Sequence, residues 1–209
     1  MEYVLGEILI DKVFKKGYIG FEKKKIVETG KGLPPKKPIF KGIILPTFVN
    51  AHTHIGDSFI RKKKINLPRN VEQLVAPPNG LKHRLLNKAS EKEIINGMKD
   101  SIKTMTKTGV NYFCDFRENG IIGINQLKKA VKNKKINSFI FSRPVKLRYS
   151  KNEIDLLLDN SIGIGLSSIS DWDFSELKKI AVHTKKRKKL FAIHANERIR
   201  ENIDFLLDL

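Results

Sequence analysis

From Ser90 onward, short apolar runs alternate with segments of helical periodicity, and this alternation leaves few folds open. Ser90 and Glu93 have the spacing of a capping box, which predicts a helix to about Lys107 closed by Gly109. Asn111–Arg117 (NYFCDFR) reads as a strand, Ile124–Asn133 as an amphipathic helix, and Asn137–Val145 (NSFIFSRPV) as the next strand. Ser150 with Glu153, and Asp173 with Glu176, repeat the capping signal before helices that reach about Asp159 and Lys186. Ile162–Ser168 (IGIGLSS) and Leu190–His194 (LFAIH) supply two more strands, and Arg198–Leu209 begins a further helix. Strands interleaved with helices build βαβ units and therefore a parallel sheet.

Upstream, Ile43–His54 (IILPTFVNAHTH) reads as a buried strand, a turn and two histidines two residues apart. Side chains alternate across a strand, so His52 and His54 point the same way and can put two imidazole nitrogens on one ion. Leu190–Glu197 (LFAIHANE) repeats the pattern: an apolar run carries His194 to a strand end, with Glu197 three residues on. Such a Glu can share the site only if the chain is already turning out of the strand. Counted from Ile43, there are five strands interleaved with helices. In a parallel barrel, functional side chains gather at the C-terminal strand ends, where His52, His54, Asp115, Arg117, Arg143, Ser168 and His194 all fall.

PTFVNAHTH followed far downstream by HANE resembles the metal-dependent amidohydrolase superfamily, in the branch of cytosine deaminase and related nucleobase, nucleoside and triazine deaminases or hydrolases. The resemblance runs from about Val4 to Leu209. It implies an incomplete (β/α)8 TIM-like barrel over residues 43–209, with a small N-terminal β-sheet over residues 1–42 that forms half of a composite β-sandwich. His52, His54 and His194 would be the ligands of one divalent metal ion, zinc or else iron, and Glu197 the catalytic proton carrier. The activity implied is deamination, the hydrolysis of a C–N bond of a small nitrogen heterocycle by a metal-activated water. In the family a His from strand six and an Asp from strand eight complete the site. Five units stop short of these, so the chain reads as a fragment, or as a subunit that needs a complementing C-terminal half or a second copy of itself. The fourth strand region holds no lysine between Ser161 and Ser170, which favours one metal over a lysine-bridged pair.

Other polar residues carry two readings each. Ile55–Ala89 lacks lasting periodicity and reads as a lid or binding loop. Within it Asp57 either caps a turn or touches substrate, and His83 is either a solvated loop residue or a substrate contact. Asp115 and Arg117 either bind a polar substrate group or pair with each other or with Glu118, and Arg143 before Pro144 is open in the same way. His183, on a Lys-rich helix, reads as a surface residue.

Met1–Gly42 alternates apolar and polar in short pieces punctuated by Gly and Pro, which predicts a small antiparallel sheet. The 209 residues carry 41 Lys and Arg against 22 Asp and Glu, a net charge of +19. These lysines are spread over nearly every segment with few aromatics between them, the pattern of a solvated surface rather than a nucleic-acid site. One cysteine, Cys114, precludes an intrachain disulfide and fits a reducing cytoplasm. No apolar run has the length of a membrane span.

Overall fold

The computed structural model describes residues 1–75, 79–197 and 203–204, in two compact units, Met1–Thr47 and Phe48–Leu209. The first is a four-stranded sheet of β1 (Glu2–Ile10), β2 (Val13–Glu22), β3 (Lys25–Gly30) and β4 (Phe40–Ile44), ordered β3-β2-β1-β4. Its hairpins turn on Asp11-Lys12 and Lys23-Lys24, all four with positive φ, the conformation that matches the right-handed twist of the flanking strands. The predicted sheet is antiparallel; the observed one is mixed, because β4 lies parallel to β1, with Val4 opposite Phe40. Ile43 and Ile44, read as the start of the first barrel strand, belong to this sheet instead, and Ile43 is 64% exposed rather than buried. Pro46 accounts for the break: it has no N–H to donate, so the ladder stops and the chain passes from one sheet to the next.

The second unit holds five parallel strands in chain order: β5 (Phe48–Thr53), β6 (Val110–Arg117), β7 (Asn137–Ser142), β8 (Gly163–Ser168) and β9 (Leu190–His194). The interleaved helices are α3 (Glu91–Lys107), α4 (Gly120–Val131), α5 (Lys151–Asn160) and α6 (Phe174–Lys186), preceded by the short α1 (Val71–Val75) and α2 (Leu81–Lys88). This is the fold expected: a partial (β/α)8 barrel of five strands, and a separate small sheet. Alternate residues of each strand face the helices, so Phe113, Ile164 and Leu166 pack with Met98, Ile124, Leu157 and Ile180 in a dry core. Each side chain so buried contributes roughly 1.5–3 kcal/mol. On the opposite, inner face Phe116 stacks on Phe141 at 5.0 Å and Tyr112 on Phe139 at 6.3 Å. Among the described residues β5 and β9 each pair with one neighbour only, and Phe48, Val49 and Leu190 are exposed along these edges.

Ser90 and Glu93 form the capping box predicted for α3. The other two capping signals are used differently. Glu153 turns back to accept from the N–H of Val145 at 2.8 Å, and Glu176 accepts from the N–H of Tyr149 at 2.5 Å, while neither Ser150 nor Asp173 caps its helix with its side chain. The loop Arg143–Ser150 has amides that no strand satisfies, and these two carboxylates supply the acceptors. Helix α4 starts at Gly120, earlier than the predicted Ile124, because Asn119 at φ 69° turns the chain straight from β6 into it. His183 is not a surface residue: it is half-buried, within 3.2 Å of Tyr149 Oη and 3.0 Å of Asp155 Oδ1. The predicted loop Ile55–Ala89 contains a 3-10 helix over Ile55–Lys62 as well as α1 and α2. Ile55 and Phe59 anchor it in the core, and a Cβ at Gly97 of α3 would lie 2.4 Å from the Phe59 backbone nitrogen. The helix predicted over Arg198–Leu209 lies outside the described residues.

Candidate metal centre

Strand β5 ends at Thr53, and its alternation places His52 and His54 on the inner face, where β9 delivers His194. The three Nε2 atoms converge: His52 to His54 is 3.0 Å and His52 to His194 is 2.9 Å. They form a cluster of potential ligand atoms within 4.8 Å of one another, contributed by residues 142 apart in the chain. The ring of Phe116 lies beneath them, its centroid 4.5 Å from that of His52 and 5.1 Å from that of His194.

The neighbours of these rings assign their tautomers. His194 Nδ1 donates to the Leu166 carbonyl at 2.7 Å, which leaves Nε2 with its lone pair. His54 Nδ1 is buried without a hydrogen bond and faces the Glu118 carboxylate at 3.8 Å, which sets its proton on Nδ1 and frees Nε2 likewise. Burial, and then the fields of His54 and His194, push the His52 pKa down, so this ring is neutral at neutral pH. His52 Nε2 lies within hydrogen-bond distance of both lone pairs; with its proton on Nδ1 instead, three lone pairs face one focus, an arrangement that suits a cation. Tetrahedral Zn–N bonds of about 2.0–2.1 Å separate ligand nitrogens by about 3.3 Å, so a shift of a few tenths of an ångström seats an ion. The donor set fits a single divalent metal.

Asn196 has φ 58°, a left-handed turn that takes the chain out of β9 and leaves Glu197 exposed at the mouth of the cavity beside the cluster. That cavity, about 260 Å³, is lined by His54, His194 and Glu197 together with Asp57, His83 and Arg143. Five of the predicted positions therefore share it with the sixth, Glu197. Asp57 pairs with Lys82 at 3.3 Å, and His83 Nε2 lies 3.1 Å from the Val75 carbonyl. Asp115 and Arg117 do not line it. Asp115 is fully buried: its Oδ1 accepts from the Ile55 N–H at 2.7 Å and lies 2.9 Å from Thr53 Oγ1, holding the turn that follows His54. Arg117, 2% exposed, bonds Asp115 Oδ2 at 3.2 Å and Glu118, and its guanidinium occupies the space a side chain at Gly56 would need. These two residues thus take the pairing open to them in the sequence.

Two residues in this region carried no functional reading in the sequence. Glu118 is 6% exposed and touches both Arg117 and Lys82; burial alone would raise its pKa, but Arg117, Lys82, His54 and Arg143 outweigh it and hold the carboxyl well below its ordinary range. Lys82 bridges Glu118 and Asp57. The signal for Glu118 was its position directly after Arg117 at the end of β6. Lys82, in a Lys-rich sequence, gave none.

Five parallel strands whose C-terminal ends bring three histidines together beside a glutamate define a half-barrel of the (β/α)8 class. The amidohydrolase family model matches residues 43–207, and the chain belongs to that family. An uncharacterized protein of Methanocaldococcus jannaschii is 40% identical over 199 residues, 92% of this chain and 48% of that protein. Among solved structures, the fold is similar to 5-methylcytosine deaminase from Klebsiella pneumoniae liganded with 5-fluorocytosine, with a TM-score of 0.71 and 12% identity over 98% of this chain and 53% of that one. It is also similar to atrazine chlorohydrolase from Arthrobacter aurescens complexed with zinc, with a TM-score of 0.64 and 13% identity over 93% and 52%. The chain spans about half the length of the curated relatives it matches. Among the described residues no helix is long and apolar enough to cross a membrane.

Proposed function

We propose that this chain carries the metal-holding half of an amidohydrolase that deaminates a small nitrogen heterocycle. The observation that carries the reading is the convergence of His52, His54 and His194 on one point beside Glu197. The three imidazoles would hold one divalent ion, zinc first and iron as the alternative. Such an ion supplies Lewis acidity that makes water a competent nucleophile near neutral pH. Glu197 takes the proton from the attacking water and delivers it to a ring nitrogen as the C–O bond forms. It then passes the second proton to the departing amine, so that water and the amino heterocycle become the ring carbonyl compound and ammonia. Phe116 closes the floor with an apolar face, and His83 and Asp57, which line the same cavity, orient the ring. Asp115 acts from behind the site, by fixing the turn after His54. The lone cysteine fits a cytoplasmic setting.

The test is elemental analysis of the purified chain after dialysis, repeated with His52→Ala/His194→Ala. The reading expects close to one zinc or iron per chain in the wild type and almost none in the double variant. Equal metal in both would remove the site.

The open edges of β5 and β9, with Phe48, Val49 and Leu190 exposed, support a second reading, in which the site is completed by a further polypeptide or a second copy of this chain. Light scattering coupled to gel filtration separates the two: a monodisperse monomer that deaminates a heterocycle unaided excludes the second reading.

A further inference from the structure

Arg143 follows β7 and is held by its backbone on both sides: its N–H donates to the Arg117 carbonyl at 3.0 Å, and its carbonyl accepts from Gly120 N–H at 3.2 Å. Pro144 fixes the next residue. The side chain is half-buried, yet among the described residues its guanidinium makes no hydrogen bond and no ion pair. The carboxylates whose field it feels are Glu118 and Asp171, and Glu118 is already engaged by Arg117 and Lys82. Burial, with the neighbouring Arg117 charge, pushes the guanidinium pKa down, and the fields of Glu118 and Asp171 offset this only in part. Arg143 borders two cavities at once: the 260 Å³ one that holds His54, His194 and Glu197, and an adjoining one of about 250 Å³ lined by His83, Asn87 and Asn119. His83 and Glu118 border both as well. The space beside the metal pocket is therefore extended, and its unpaired donor fork stands where the two parts meet.

We propose that Arg143 is the anchor for an anionic oxygen group, a carboxylate or a phosphate, carried on an arm of the heterocyclic substrate. This rests on the deaminase reading and narrows it: the ring faces the histidine cluster and Glu197, while the charged arm reaches Arg143 and the second cavity. The guanidinium presents parallel N–H donors in a geometry that suits a carboxylate or phosphate bidentately, and a half-buried fork discriminates more sharply than a solvated one. A neutral base would leave that fork unpaired.

The experiment is calorimetric titration of the zinc-loaded chain with two probe pairs, uracil against 6-carboxyuracil and cytidine against cytidine 5′-monophosphate. Binding of the charged member at least about tenfold tighter than its neutral parent in one pair is expected, and which pair shows it separates carboxylate from phosphate. Arg143→Gln should erase that preference while zinc content stays that of the wild type, and Arg143→Lys should restore part of it. Circular dichroism and zinc content confirm that each variant is folded. Equal binding of charged and neutral probes by the wild type overturns the proposal, as does a preference that survives in Arg143→Gln. Loss of zinc binding at the histidines would sink the deaminase reading instead, and the zinc assay reads that separately.

Discussion

Replacing Glu118 with Gln removes one negative charge from a buried cluster in which Arg117 and Lys82 both depend on it. Gln keeps the shape and an acceptor oxygen, so the change is electrostatic rather than steric. Arg117 retains Asp115, and Lys82 retains Asp57, but each loses its contact with the shared carboxylate. Breaking a buried ion pair by removing one partner costs about 3–5 kcal/mol, which for a chain of this size lowers the melting temperature by roughly 6–20 °C. The pH dependence has a fixed sign. The folded-state pKa of Glu118 lies well below its ordinary value of 4.5, so its contribution is complete above that value and is lost as the pH falls through the folded value. Thermal melts of wild type and Glu118→Gln by circular dichroism should show a gap that is constant from pH 7 down to about 4.5 and narrows below it. A gap under about 2 °C at pH 7, or one that stays unchanged down to pH 3, would refute the assignment of Glu118 as an ionised hub.

Gly97→Ala places a Cβ 2.4 Å from the Phe59 backbone nitrogen, so urea denaturation should show a loss of about 1–3 kcal/mol from overpacking between α3 and the 3-10 helix. Ser90→Ala should cost about 1 kcal/mol in the same assay by removing the capping box of α3. Ser150→Ala, at a position whose side chain makes no cap, should stay within about 0.5 kcal/mol.

The strands and the histidine cluster were legible because each rests on a short-range rule. Alternation fixes His52 and His54 on one face, and the apolar run before His194 fixes a strand end. The same parity, taken one strand further, separates Asp115 and Arg117 from the site: they share the helix-facing side with Phe113, whereas Phe116, on the inner side, lies under the histidines. Position at a strand end alone did not make that distinction. The caps at Ser150 and Asp173 failed because the demand came from elsewhere, from loop amides of Val145 and Tyr149 that no local pattern shows to be unsatisfied. His183 was misjudged for a related reason, since Tyr149 and Asp155 approach it from distant parts of the chain. The break at Pro46 was written in the sequence, but an unbroken apolar run on either side concealed which sheet each half would join.

His52 and His194 come from the two outermost strands of a five-stranded sheet, with the other three between them. Under the proposed metal reading, an ion shared by them would work as a clasp across the open curve, since the ends could not splay without dissolving its coordination sphere. Free metal at about 100 times its dissociation constant would add about 2.7 kcal/mol to the folded state, and that increment would resist uncurling in particular. Occupancy of the histidines would then report more than chemistry, since it would register whether every intervening strand had taken its place.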